Sequence, residues 1–177
     1  MNDISPTHIV GKYPPSWYAA TAPLMHAFAP LKGEETADVC VIGGGYTGLS
    51  TALHLRQKGY DVVLLEAERV GWGASGRNGG HVGTGQRADQ SSIEKWVGAE
   101  AARGLWRLGL DAVDTVCQLI DTYHIDCELG SGNLHLAAKP GHAHELQDEL
   151  EHLESIYGYQ QLSYLTPEAV AELTSAQ

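Results

Sequence analysis

The sequence predicts an α/β fold organised around a parallel β-α-β unit, and three observations carry that prediction. Asp38 to Ile42 and Asp61 to Glu66 are short runs rich in β-branched and aliphatic residues, the character of strands buried on both faces. Between them, Tyr46 to Lys58 places Leu49, Ala52, Leu53 and Leu55 along one side of a helix, and Gly59 stands just past its end as a stop. The first run halts at three consecutive glycines, Gly43 to Gly45, where a chain can turn from strand into helix without a spacer.

The flanking segments follow in order. Thr7 to Glu35, with Pro14, Pro15, Pro23 and Pro30 interleaved with Trp17, Tyr18 and Phe28, reads as an extended arm that packs on a neighbouring surface. Gly71 to Gly85 holds seven glycines and no apolar periodicity, so it reads as a loop or a very short helical turn. A capping box at Ser91 and Glu94 opens a helical region, which Gly98 interrupts and which Ala101, Leu105, Leu108, Ala112, Val116, Leu119 and Tyr123 continue. Asn133 to Ala138 and Leu162 to Leu165 read as a short pair of strands. Pro140 to Tyr157 is an amphipathic helix through Leu146, Leu150, Leu153 and Tyr157, and Thr166-Pro167-Glu168 has the N-cap and first-position proline of a further helix start. The expected domain organisation is an arm over 1–36, a cofactor-binding unit over 37–90, and a helical region opening a substrate domain over 91–177.

Composition narrows the function classes. With 43% hydrophobic and 19% charged residues among 177, the chain is neither disordered nor membrane-spanning in character. Its 22 acids against 11 bases give a net charge of −11, a surface that repels nucleic acid and anionic lipid. The acidity is uneven: residues 1–90 hold 8 acids and 7 bases, residues 91–177 hold 14 acids and 4 bases. Glycine is concentrated as well, with 12 of 21 lying between Gly43 and Gly85. Three scattered cysteines, Cys40, Cys117 and Cys127, form no disulfide framework or CxxC pair and read as reduced, mostly buried thiols. The first thirty residues lack a basic start followed by an apolar run, so the expected location is cytoplasmic.

Gly43-Gly44-Gly45-Tyr46-Thr47-Gly48 is a G-x-G-x-x-G stretch after a strand and before a helix, the context that gives this motif its meaning. Gly43 permits the tight turn, Gly45 lets a pyrophosphate approach the backbone, and Gly48 lets helix and strand lie close. The helix N-terminus offers N–H groups and a positive dipole end to the phosphates. Glu66 closes the second strand 23 residues after Gly43, where a carboxylate accepts hydrogen bonds from ribose hydroxyls and repels a 2′-phosphate. FAD or NAD therefore fits better than NADP. The fold class expected from these features is a Rossmann-like FAD/NAD(P)-binding α/β domain of the glutathione-reductase type. It is expected to be incomplete, because two parallel strands alone leave a sheet poorly covered.

Glu66-Ala67-Glu68-Arg69-Val70-Gly71-Trp72-Gly73-Ala74-Ser75-Gly76-Arg77-Asn78-Gly79-Gly80-His81 decides between the two cofactors. This stretch, with Gly43 to Leu49 and the Trp17 to Thr21 arm, resembles the D-amino-acid-oxidase-type FAD-dependent oxidoreductases, over nearly the whole of this chain but only about the first two-fifths of a family member. Physically, a flat ring system lying against the main chain requires several residues without Cβ atoms. The resemblance implies FAD as cofactor, with Ala67, Gly73 and Ala74 among the residues that bind it. It implies Ser75 and Arg77 near the pyrophosphate and ribityl chain, and Asn78, Gly79 and Gly80 near the flavin ring. His81 lies where some relatives attach flavin covalently; a non-covalent packing role is the expectation here.

Other constellations carry less. His144, Asp148 and His152 recur at helical spacing, yet no thiolate or further ligand joins them, so a solvated face is expected and no metal site. Trp96 and Trp106 are expected to pack, and Ser91 and Ser92 to cap a helix. The activity implied by the resemblance is oxidation of the CH–NH bond of a small amine, a polyamine derivative such as gamma-glutamylputrescine, by hydride transfer to flavin. A non-catalytic nucleotide-binding module and an NAD-dependent dehydrogenase are the alternatives. No catalytic residue, reoxidant or oligomeric state is assignable from these residues. The chain is expected to be an N-terminal portion that binds FAD weakly or not at all and lacks turnover.

Overall fold

The computed structural model describes residues 12–22 and 27–174, and the chain divides into two compact units, residues 1–80 and 81–177. Thr7 to Gly11 and Pro23 of the expected arm lie outside the described residues.

In the first unit the arm is not wholly extended. Ser16 accepts a hydrogen bond from the Ala19 backbone N–H through Oγ at 3.2 Å and so caps one short helix, α1 (Trp17–Thr21). Strand β1 (Val39–Ile42) leads through the glycine turn into α2 (Tyr46–Gln57), which returns to β2 (Val62–Leu65). The strands pair in parallel, Val39 opposite Val62 through Ile42 opposite Leu65. Helix α2 stops where the sequence predicts: Lys58 is its C-cap and Gly59 follows at φ +90°. Val41 is the buried side chain of β1, whereas Ile42 is 85% exposed. The second glycine loop contains a single 3₁₀ turn, Ala74–Gly76.

The second unit is helical: α3 (Gln90–Val97), α4 (Ala99–Tyr123), α5 (Pro140–Tyr157) and α6 (Pro167–Leu173). Gly98, at φ +82°, ends α3 and begins α4. Thr166 caps α6, its Oγ1 accepting from Ala169 N–H at 3.3 Å. Ile93, Ala102, Trp106 and Leu153 form the core. The Trp106 ring lies 5.5 Å from that of Tyr157, tilted to it, and 5.2 Å from that of Tyr159, in the latter case with the edge-to-face geometry aromatic quadrupoles favour.

Four expectations need correction. Asn133 to Ala138 and Leu162 to Leu165 form no strands. A strand exists through its ladder, and these segments have no hydrogen-bonded strand partner among the described residues; Leu134, Leu136 and Tyr164 are exposed. The cap of α3 is Asp89 and not Ser91, because a carboxylate accepts the Ser92 N–H at 2.8 Å and both serine hydroxyls besides. Glu94, freed from the cap, turns to other partners. The thiols are not mostly buried: alternation along β1 puts Cys40 on the face opposite Val41, and Cys127 is exposed beyond the end of α4. Trp96 is 71% exposed, while Trp106 packs as expected.

Candidate functional site

Gly43 leaves β1 at φ +104°, a conformation that L side chains rarely adopt. Its N–H continues the ladder to Leu65 O at 2.7 Å. Gly45 is the N-cap of α2 and provides no side-chain cap, so the helix opens with backbone N–H groups. Tyr46 and Thr47 occupy the first two helical positions, exposed. At Gly48 a Cβ would overlap the Gly43 carbonyl oxygen, with Val41 Cγ1 in ordinary contact at 3.5 Å. The helix therefore crosses its own glycine turn at a distance only a bare Cα allows.

Glu66 closes this turn from the side of β2. Its Oε2 accepts from Gly44 N–H at 2.6 Å and its Oε1 from Glu68 N–H at 2.9 Å. The backbone N–H groups of Glu68 and Gly44 thereby hold the carboxyl below its ordinary range, with a smaller contribution from Ala67. Each carboxylate oxygen keeps a second lone-pair site, so Glu66 has acceptor capacity left for hydroxyls. Gly44, buried between these groups, is a participant the motif reading passed over; its position as the middle glycine was the available signal.

The second glycine loop is fastened to the first. Gly71 N–H donates to Gly44 O at 2.9 Å, and Tyr46 N–H, at the opening of α2, donates to Ser75 Oγ at 3.0 Å. Asn78 Nδ2 donates to the Tyr46 hydroxyl at 2.9 Å and to Ser75 O at 2.9 Å, while its Oδ1 accepts from Gly80 N–H at 2.9 Å. Gly73 N-caps the 3₁₀ turn that Ala74 begins, and its carbonyl accepts from Arg77 Nε at 3.2 Å. Gly79 and Gly80 follow, exposed, with Gly80 at φ +68°. The structure thus gathers Gly43, Gly45, Tyr46, Gly48, Glu66, Ser75 and Asn78 about the start of α2. His81 opens the second unit, exposed.

Sequence reasoning missed the outer support of this loop. Trp72 Nε1 donates to Lys12 O at 2.8 Å, and the Tyr13 hydroxyl donates to Val70 O at 2.9 Å. The guanidinium of Arg69 lies 5.1 Å from the Tyr13 ring centre and that of Arg77 lies 5.2 Å from the Trp72 ring centre. The aromatic residues of the arm were the available hint. The other candidate cluster does not converge: His144 Nδ1 lies 3.0 Å from Pro140 O, and His152 Nε2 lies 2.9 Å from Glu94 Oε1. Among the described residues no group of three His, Cys, Asp or Glu side chains is placed to hold a metal ion.

Residues 38–176 match the family described as FAD dependent oxidoreductase, and the chain belongs to that family. FAD is the cofactor that membership implies. The chain is 43% identical over 155 residues to gamma-glutamylputrescine oxidoreductase of Escherichia coli (strain K12), covering 88% of this chain and 36% of that protein. It is 40% identical over 162 residues to the probable oxidoreductase OrdL of Rhizobium meliloti (strain 1021), covering 91% of this chain and 38% of that protein. The chain therefore spans little more than a third of the length of these relatives. No solved structure matches it. Among the described residues no helix is long and apolar enough to cross a membrane.

Proposed function

We propose that the protein is an FAD-dependent oxidoreductase that oxidises the CH–NH bond of a small amine, gamma-glutamylputrescine or a related amine. The observation that carries the cofactor part of this reading is the clasp of Glu66 on the glycine turn at the opening of α2, with the second glycine loop tied to the same helix start through Ser75. Family membership and 43% identity to a protein named for that substrate support it.

The site fits the cofactor on its own geometry. The N-cap of α2 carries no side chain, and a Cβ at Gly45 would stand 2.9 Å from Ser75 Oγ, so the cradle is one a side chain would fill. On this reading Gly45, Thr47 and Gly48 present backbone N–H groups to the pyrophosphate, while the Tyr46 N–H holds Ser75 beside them. Glu66 accepts the ribose hydroxyls, with Ala67 beside it. Ser75 and Arg77 act as donors along the pyrophosphate and ribityl chain, and Gly73 and Ala74 set the 3₁₀ turn that presents them. Asn78, Gly79 and Gly80 pass the flavin ring, and His81 packs near it without a covalent bond. FAD, when bound, supplies the acceptor for the hydride leaving the carbon beside the amine, which becomes an imine open to hydrolysis. Residues 37–90 carry the cofactor in this assignment and residues 91–177 begin the substrate side. The cytoplasm, where thiols stay reduced, suits three free cysteines.

The test is anaerobic mixing of the purified full-length protein, loaded with FAD, with gamma-glutamylputrescine. Loss of the yellow flavin absorbance is expected, and the released product should be an aldehyde. Flavin that stays oxidised with every amine overturns the proposed substrate class. A protein that takes up NADH and not FAD overturns the cofactor assignment as well.

A further inference from the structure

Among the described residues Arg77 is a cation without a carboxylate partner. It is exposed, its Nε donates to Gly73 O at 3.2 Å, and its guanidinium lies against the Trp72 ring with centres 5.2 Å apart. Among the described residues no acid pairs with it, although acids outnumber bases 22 to 11. The guanidinium's partners are a ring face and a backbone carbonyl. With Nε engaged on Gly73 and the cation held over a ring face, the terminal Nη N–H groups remain as the pair that can bind phosphate bidentately.

The ring beneath it is anchored at a distance in sequence. The Trp72 indole N–H donates to Lys12 O at 2.8 Å, across 60 positions of chain, and Trp72 N–H donates to Arg69 O at 2.9 Å. The neighbouring Val70 carbonyl accepts from the Tyr13 hydroxyl at 2.9 Å, and Gly71 N–H donates to Gly44 O at 2.9 Å. The arm thus grips one side of the loop while the first glycine turn grips the other.

From this arrangement, and resting on the FAD site proposed above, we infer that Trp72 is a positioning residue. Anchored by the arm at Lys12, it holds the guanidinium of Arg77 ready for the pyrophosphate of FAD. A free arginine side chain loses rotamer freedom when it binds an anion; one already laid on a fixed ring loses less.

A double-mutant cycle on FAD affinity tests the coupling. Apoprotein prepared from the full-length protein is titrated with FAD for the wild type, Arg77→Gln, Trp72→Phe, Trp72→Leu, and the W72L/R77Q pair, with thermal unfolding of each. Arg77→Gln should weaken binding about tenfold, and Trp72→Leu about threefold, the worth of an exposed cation–π contact. Trp72→Phe, which keeps a ring face and loses the indole N–H that anchors it to Lys12, should fall between the wild type and Trp72→Leu. In the double variant, replacing Trp72 should cost nothing beyond Arg77→Gln alone. Losses that multiply in the double variant, or a Trp72→Phe protein no better than Trp72→Leu, overturn the inference while the FAD site stands. A wild-type protein that binds no FAD overturns both.

Discussion

The backbone N–H of Gly44 donates a 2.6 Å hydrogen bond to Glu66 Oε2, so the acid that ends one strand is fastened to the glycine turn that ends the other. With Glu68 N–H on its second oxygen, the carboxylate organises the backbone on both sides of the parallel pair. One side chain therefore serves the fold and, on the proposed reading, the ribose.

Glu66→Gln leaves one of the two backbone donors facing an amide NH₂. A loss of about 1.5 kcal/mol at neutral pH is expected from denaturant unfolding, the scale of a hydrogen bond to a charged group. Because the folded-state pKa of Glu66 is lowered, its contribution is present above the ordinary glutamate value and is lost as pH falls through the lowered one. The gap between wild type and variant should close in acid; a gap that persists there contradicts the assigned role.

Gly48→Ala places a methyl group into the Gly43 carbonyl oxygen, which is backbone and cannot rotate away. Helix α2 must shift from β1, at a cost of about 2 kcal/mol in the manner of overpacked cores. Thermal unfolding should show the loss, and FAD affinity should fall with it. A variant as stable as wild type would show that the crossing has slack.

In the second unit the Tyr157 hydroxyl donates to Glu94 Oε1 at 2.5 Å and accepts from Gln90 Nε2 at 3.0 Å, while His152 Nε2 lies 2.9 Å from the same Glu94 oxygen. An ionised carboxylate only accepts, so His152 presents an N–H there. Tyr157→Phe removes the largest cause of the lowered Glu94 pKa and leaves Gln90 short of one acceptor, a loss of about 1–2 kcal/mol. Burial first, and then the bond to Glu94, raise the Tyr157 pKa. Its stabilisation is therefore complete below the ordinary tyrosine value and fades as pH rises through the raised one. Unfolding measured against alkaline pH should bring the two proteins together.

Asp89 is held down to about 2 by the Ser92 N–H and the hydroxyls of Ser91 and Ser92. Asp89→Ala should lower the melting temperature at neutral pH by uncapping α3. The difference should shrink as pH falls from the ordinary aspartate value of 3.8 to about 2. Equal melting at neutral pH would assign the cap to another residue.

For His81, acid precipitation of the FAD-loaded full-length protein should release all the flavin into the supernatant. Flavin fluorescence retained in the pellet would mean a covalent bond.

Local signals marked the β-α-β unit because each boundary has a local physical cause. β-branched runs form strands, Gly43 takes a positive φ, and Gly59 stops α2 just past Lys58. Helices α5 and α6 were legible for the same reason, a proline at the first position and helical apolar spacing. The glycine motif and the loop from Gly71 to His81 identified the family, since close approach to a nucleotide restricts residue type at each position.

What depends on distant partners was not legible. Asn133 to Ala138 has the composition of a strand, but a strand requires a ladder and none forms among the described residues. Ser91 and Glu94 match a capping box, yet Asp89 accepts more hydrogen bonds and Glu94 meets Tyr157, 63 positions away. Residue types along the chain determine the turn, the crossover helix and the acid. Only the tertiary structure decides that Gly44 clasps Glu66, that Ser75 meets Tyr46, and that Lys12 holds Trp72 beneath Arg77, because such contacts depend on where the backbone returns in space.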